Sequence, residues 1–494
     1  FKAIWSDVRQ SFVTTSEIQP SHGKRSKASV SLSVATVLLA TSGLVSAAYV
    51  ETGTLGDKAS WETAEYNYNW GLGAMNASSA YALGFYGQNT TTGVMDSGAW
   101  LGNPDLDTPR ITATHVTGVY GSSGNRYPQS IYATIQKGVV PTAAEGQPFA
   151  EGEEFDVKGD NTLGLNDAHG TQVTGVIGAE RNGEYGHGVA FKANVVVGNT
   201  GATDNNNYGP FQDYNYYFKG YKALADAVNA GNGEYRGGMV NNSYGTNTKI
   251  YSSGGHRLTP DEMSELLAGS GNYDRASAAY AVTFSGDYSF LGLNDVPGAD
   301  QYSTNPSAFE WEYMYFKLKY GDKPSFLDGA YDAVKGTNVI LSWAAGNQDR
   351  GTPYLKGLYP YFHPEAEKNW LNAVGVMQTR GDNDQYMQAT YCKAGLAKWW
   401  SMSGPTAYPG IGTTYVTTDL ENGRLTTTGF NGTSASDPQI SGAFTVLQSR
   451  YPSMTAIQVK DVMYTTASHI GANGQPFTNW TAAEGTPDVI YGWG

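Results

Sequence analysis

The chain has 494 residues, 40% of them hydrophobic and 15% charged, and a formal net charge of −14. This length and composition describe a globular body with one large core or two ordinary ones, and exclude a disordered chain. The acidic balance argues against nucleic acid and anionic membrane as partners, and the single cysteine, Cys392, excludes an intrachain disulfide.

Cys392 has no partner motif beside it, so a structural role is expected. Neither zinc-type Cys/His spacing nor a His-Glu-x-x-His helix occurs. The 62 glycines and 35 tyrosines predict many turns and long, aromatic-decorated loops.

Lys24, Arg25 and Lys27 precede an apolar run, Leu32 to Ala40, and Val45-Ser46-Ala47 follows with small residues suited to signal peptidase. That is the three-part pattern of a secretory signal. Ser and Thr dilute the run too heavily for a membrane anchor. The expected organisation is an extended signal region over 1–47, a linker over 48–60 and a catalytic domain over 61–494. Long excursions are expected at about 97–166 and 246–325.

Within 61–494 the elements alternate. Ala74 to Ala82 reads as a short helix ended by Gly84. Gly93-Val94-Met95 is the end of a buried strand, with Asp96 at its tip. His169 opens a segment in which Val173, Val176 and Ile177 share one helix face. Asn194 to Val197 is a strand, Lys222 to Val228 a helix, and Gly238 to Asn242 a strand ending at Ser243-Tyr244-Gly245. Helix Ala330 to Val334 leads to strand Asn338 to Trp343 and to Ala344-Ala345-Gly346-Asn347. Asn372 to Val376 is another strand, and Ser434 opens a helix through Ile440, Ala443 and Leu447. Such alternation predicts an α/β fold with a mostly parallel central sheet, whose site lies at the carboxyl ends of the strands.

Three motifs carry chemistry. Asp96-Ser97-Gly98, His169-Gly170-Thr171 and Gly432-Thr433-Ser434-Ala435-Ser436-Asp437-Pro438 supply an acid, a base and a hydroxyl in that chain order. A Ser hydroxyl is a poor nucleophile unless a base is in reach and a third group holds that base. Ser434 is therefore assigned as nucleophile, His169 as general base and then acid, and Asp96 as the orienting carboxylate. The order excludes chymotrypsin-like chains and α/β-hydrolases.

The chain resembles the subtilisin-like serine proteases. The block from Trp61 to Gly98, with its long leader, is similar to autotransporter-type subtilases of Gram-negative bacteria. The resemblance implies a subtilisin-like three-layer sandwich with long loop insertions, and a secreted or surface-displayed serine endopeptidase acting on proteins or peptides. In that family the Asn347 side chain and the Ser434 N–H would stabilise the oxyanion. The strand end Ser243-Tyr244-Gly245 would pair with substrate backbone, Tyr244 would contact residues further upstream, and Ala344-Ala345-Gly346 would form the opposite wall. The chain stops where a subtilase domain normally ends, so a C-terminal β-barrel translocator is expected outside it. Calcium is common in the family, but no oxygen-rich loop here is specific enough to name as its site.

Some positions depart from the family pattern. Gln172 and Gln439 stand where His is usual, and His187 is read as structural. Asp437 replaces a small residue; it either favours the helix N-terminus or, if close, raises the pKa of His169. Two rival readings stand beside the secreted protease. One is an inactive adhesin, for which aromatic stretches such as Tyr214-Asn215-Tyr216-Tyr217 would form the surface. The other is an enzyme limited to processing its own polypeptide or neighbouring surface proteins.

Overall fold

Short apolar runs with polar turns between them form the strands of one sheet. The computed structural model describes residues 2–6, 11–15, 49–122, 124–125, 148–160, 168–184, 186–200, 213–244, 323–347, 351–378, 386–388, 391–406, 413–419, 424–468, 480, 482–483 and 485–494. They belong to two units, Phe1–Val50 and Glu51–Gly494. In the first, Lys2–Ser6 pairs antiparallel with Ser11–Thr15. The predicted signal run and cleavage site lie outside the described residues.

The sheet of the second unit has eight strands among the described residues. These are β1 (Thr91–Asp96), β2 (Ile111–Ala113), β3 (Asn194–Asn199), β4 (Gly238–Asn242), β5 (Val339–Ala344), β6 (Trp370–Gln378), β7 (Tyr386–Gln388) and β8 (Ser401–Pro405). The order is β7-β6-β5-β4-β1-β3-β2, and β8 also pairs with β6. Every pairing is parallel except β6 with β7. This is the mostly parallel α/β architecture that the alternating elements predict.

Parallel strands need crossovers, and helices supply them. Helices α2 (Tyr214–Asn232), α3 (Phe326–Val334) and α4 (Leu355–Phe362) cover one face. Helices α1 (His169–Gly178), α5 (Thr433–Arg450) and α6 (Ala456–Thr466) cover the other. Successive strand residues feed opposite cores. In β4, Met239 packs with Ile440, Phe444 and Val459, while Val240 packs with Tyr221 and Leu224. Because both faces are covered, β1, β4 and β5 are buried at every residue and show no alternation of buried and exposed positions.

Three details differ from the sequence reading. The excursion after Asp96 contributes an edge strand, β2, and a separate antiparallel pair, His115–Val119 with Glu154–Lys158. Helix α2 begins at Tyr214, where the Asp213 side chain accepts from Tyr216 N–H and caps it. Tyr216 and Tyr217 are buried, so this aromatic stretch belongs to the core and not to an adhesive surface. Most of the second predicted excursion lies outside the described residues.

Two buried cations tie elements together. The Lys460 ammonium of α6 donates to the carbonyls of Glu367, Lys368 and Trp370, at 3.0, 2.9 and 3.1 Å, at the entrance to β6. The Arg181 guanidinium just after α1 meets both Glu51 oxygens, at 3.2 and 3.0 Å, and donates to His187 Nε2 at 3.0 Å. No helix among the described residues is long and apolar enough to cross a membrane.

Candidate active site

Strand β1 runs at the centre of the sheet, between β4 and β3, and ends at Asp96. The Asp96 carboxylate is fully buried. Its Oδ1 accepts from Ser97 N–H at 2.8 Å and from His169 Nδ1 at 2.8 Å. An ionised carboxylate only accepts, so Nδ1 carries the proton and Nε2 is the basic nitrogen of the neutral ring. The first turn of α1 can approach this closely because position 170 is glycine. A Cβ there would lie 2.3 Å from the Gly98 carbonyl oxygen, and Gly170 N–H donates to Ser97 Oγ at 2.9 Å. The Phe430 ring meets the His169 ring edge-on, with centroids 5.4 Å apart.

Phe430 leads directly into the nucleophile segment. Gly432 has φ of +87°, a left-handed conformation that favours glycine, and α5 starts at Thr433. Ser434 therefore sits in the first helical turn, where no intrahelical carbonyl precedes its N–H. Its side chain is nearly buried, and Oγ donates to the Ser243 main-chain oxygen at 2.6 Å. A hydroxyl has one proton, and in this conformation that proton points at Ser243. That proton must be redirected before a base can take it.

Asn347 follows β5 and is exposed. Its Oδ1 accepts from Thr433 N–H at 2.8 Å and from Thr433 Oγ1 at 2.9 Å, while Gly346 N–H donates to the same Oγ1 at 3.0 Å. A backbone N–H can only donate, so these contacts fix which end of the amide is oxygen and turn its NH₂ the other way. Thr433 thus orients Asn347, a role not read from the sequence. Its signal was simply its place between Gly432 and Ser434.

The segments expected to line the substrate lie at the ends of β4 and β5. Ser243 and Tyr244 are buried. The Tyr244 ring turns into the core, its hydroxyl 2.8 Å from that of Tyr221 and 3.3 Å from that of Tyr217. What Tyr244 offers a peptide is therefore backbone and not ring. Gly245 lies outside the described residues. Ala344, Ala345 and Gly346 are buried and anchored: Tyr354 N–H donates to the Ala345 carbonyl, and Cys392 N–H to that of Gly346. Cys392 packs with Ala345, Tyr354 and Val374, the structural role expected of it.

Asp437 lies one turn after Ser434 on the same side of α5. It is fully buried. Its Oδ1 accepts a short bond from Ser342 Oγ, and its Oδ2 lies 3.3 Å from Asn242 N and 3.4 Å from Ser243 Oγ. Burial pushes this carboxyl up to about 7, and the Asp96 charge adds to the push, against hydrogen bonds from Ser342, Asn242 and Ser243. His187 stands apart from this group. It is buried, its Nδ1 donates to the Gly188 carbonyl at 2.8 Å, and it packs among Tyr66, Tyr81 and Phe191.

The arrangement thus joins a carboxylate to an oriented imidazole, and places a hydroxyl and a carboxamide together at a helix start. These are the components for acyl transfer to a hydroxyl.

Comparison with known proteins shows the family of the chain. The profile of the subtilase family matches residues 87–494. The chain is 25% identical over 467 residues to an extracellular serine protease of Serratia marcescens, covering 91% of this chain and 35% of that protein. It is 22% identical over 191 residues to the Neisserial autotransporter lipoprotein NalP of Neisseria meningitidis, covering 32% of this chain and 16% of that one. Among solved structures, the serine protease of Aeromonas sobria is similar with a TM-score of 0.42 and 16% identity, covering 87% of this chain and 65% of the other. The chain spans about a third of the length of the extracellular serine proteases it matches. The family match takes in the sheet, Asp96, His169, Asn347 and the helix opened by Thr433, and the chain belongs to the subtilase family.

Proposed function

We propose that the chain is a secreted or surface-displayed serine endopeptidase that cleaves peptide bonds through an acyl-enzyme. Ser434 attacks the carbonyl carbon. His169 Nε2 takes the hydroxyl proton and later gives it to the leaving amine. Asp96 holds the imidazole in the required tautomer and stabilises the imidazolium that forms, without itself becoming protonated. The Asn347 amide and the Ser434 N–H donate to the oxyanion. The strand end at Ser243-Tyr244 pairs with the substrate backbone, and Ala344-Ala345-Gly346 forms the facing wall. The reaction as proposed uses side chains and backbone only.

The observation that carries this reading is the 2.8 Å bond between the buried Asp96 carboxylate and His169 Nδ1. It joins residues far apart in sequence and leaves the basic nitrogen of the ring unused by the acid. The substrates are proteins or peptides and not nucleic acids. Export through the leader and a β-barrel translocator beyond this chain belong to the same proposal, supported by the likeness to extracellular and autotransporter relatives.

The test is peptide hydrolysis by wild type and Ser434→Ala, with mass-spectrometric mapping of an organophosphorus label. Wild type is expected to cleave casein and to carry the label at Ser434. The variant is expected to fold and to do neither. A label mapping elsewhere, or a fully active variant, refutes the assignment.

A further inference from the structure

Helix α5 grips Ser243 twice with one face. Ser434 Oγ donates to the Ser243 carbonyl at 2.6 Å, and one turn later Asp437 Oδ2 lies 3.4 Å from the Ser243 hydroxyl and 3.3 Å from Asn242 N. The other oxygen of the same carboxyl takes the Ser342 hydroxyl in the neighbouring strand. Asn241 and Ser342 are register partners in the β4–β5 pair, as are Asn242 and Trp343. Asp437 therefore reaches the last turn of sheet before both substrate walls. Ser243 opens one wall, and Ala344 stands two positions after Ser342 in the other.

The lattice around it is otherwise closed. Ser243 Oγ also lies 2.8 Å from Asn241 Oδ1, Asn241 Nδ2 donates to Ser441 Oγ of α5 at 3.1 Å, and Asn242 Nδ2 donates to the Ser342 carbonyl at 2.9 Å. All of these atoms are buried. The neighbouring positions in this stretch of helix are small or apolar: Ala435, Ser436 and Pro438. Among the described residues no salt bridge reaches this acid, and burial disfavours its charge. Its fixed position is explained by what it joins and not by the core it occupies.

We infer that Asp437 is a positioning residue that ties the ends of β4 and β5 to the helix of Ser434, and so sets the width of the substrate cleft and the place of the Ser243 carbonyl. This rests on the protease reading. In the resting state the Ser243 carbonyl holds the nucleophile's proton, and Asp437 holds the residue that carries that carbonyl. When a peptide pairs along Ser243-Tyr244, the walls must keep their spacing while Ser434 turns to His169. A carboxyl or a carboxamide at position 437 can hold both walls, because each offers two polar atoms in the same plane. A methyl group cannot.

The experiment measures kcat and KM on a fluorogenic peptide for wild type, Asp437→Ala and Asp437→Asn. It also measures the rate at which a small organophosphorus reagent labels Ser434, since that reagent does not span the cleft. Asp437→Ala is expected to lose about 10–100-fold in kcat/KM, mainly through KM, while its labelling rate stays within about threefold of wild type. Asp437→Asn is expected to recover most of the loss. An unchanged KM in Asp437→Ala, or equal losses of hydrolysis and labelling, overturns the inference. If Asp437→Ala does not fold, Ser342→Ala removes the β5 attachment alone, and KM is expected to rise about 3–10-fold; an unchanged KM there overturns the inference as well. If wild type neither hydrolyses the peptide nor is labelled at Ser434, the protease reading itself fails and this inference falls with it.

Discussion

At the scale of single residues, the site depends on orientation more than on identity. Asn347 is exposed, yet its amide has one allowed orientation because Thr433 supplies two donors to Oδ1. If its NH₂ meets the oxyanion, Asn347→Leu should lower kcat with little change in KM, because the interaction forms only in the transition state. Loss of the equivalent donor in a subtilisin costs about 10²–10³ in rate, and that size is carried over here by analogy. Steady-state kinetics on one peptide would check it, and a loss confined to KM would contradict it. Asp96 and Asn347 stood out in the sequence as residues just at or past the end of a strand, and His169 and Ser434 as residues in the first turn of a helix beside small neighbours. The contacts of Thr433, and those of Asp437 with the ends of β4 and β5, were not legible there. Their partners stand 86 and 95 positions away for Asn347 and Ser342, and only the folded sheet brings them together.

At the scale of elements, the strands were read well and the edges poorly. Strand β4 matches the predicted strand Gly238 to Asn242 end for end, and all five of its residues are buried, Asn241 and Asn242 included. Strand β2 has only three residues, too few to show a period. Helix α2 begins with Tyr, Asn, Tyr and Tyr, residues of weak helix propensity, and the packing of Tyr216 and Tyr217 decides the matter. Between elements, the Lys460 ammonium donates to three carbonyls, of which that of Glu367 also accepts from Trp370 N–H, although burial pulls its pKa down to about 8. Lys460→Met would take this donor away from all three oxygens in a buried setting. A loss of about 2–4 kcal/mol in unfolding free energy is expected by urea titration, with the Ser434 labelling rate unchanged in the folded protein. A loss below about 0.5 kcal/mol would show that water or neighbouring donors replace the ammonium.

At the scale of the whole molecule, acid stability has an identifiable source. His187 is buried, donates through Nδ1 to Gly188 and accepts from Arg181 through Nε2, so the folded protein holds it neutral. Burial, more than the nearby guanidinium charge, lowers its pKa to about 3. The unfolded chain takes up that proton near the ordinary histidine value of about 6.5. Protons then favour unfolding as pH falls from about 6.5 toward 3, and the stability present above that window is lost within it. At pH 4 the loss from this group alone is about 3 kcal/mol. Scanning calorimetry between pH 7 and 4 should show a smaller drop in melting temperature for His187→Gln than for wild type, even if the variant is weaker at neutral pH. Equal drops would remove His187 from the account.

The same cluster bears on maturation. Glu51 is the counter-ion of an arginine whose side chain is wholly enclosed, and it comes only a few positions after the small residues proposed for leader removal. Pruning that stops short of Glu51 keeps the clasp. Pruning that removes it takes away the carboxylate bound by the guanidinium and leaves this buried cation to His187 and the nearby charge of Glu65. The domain thus carries its own ruler for how far its front end can be shortened.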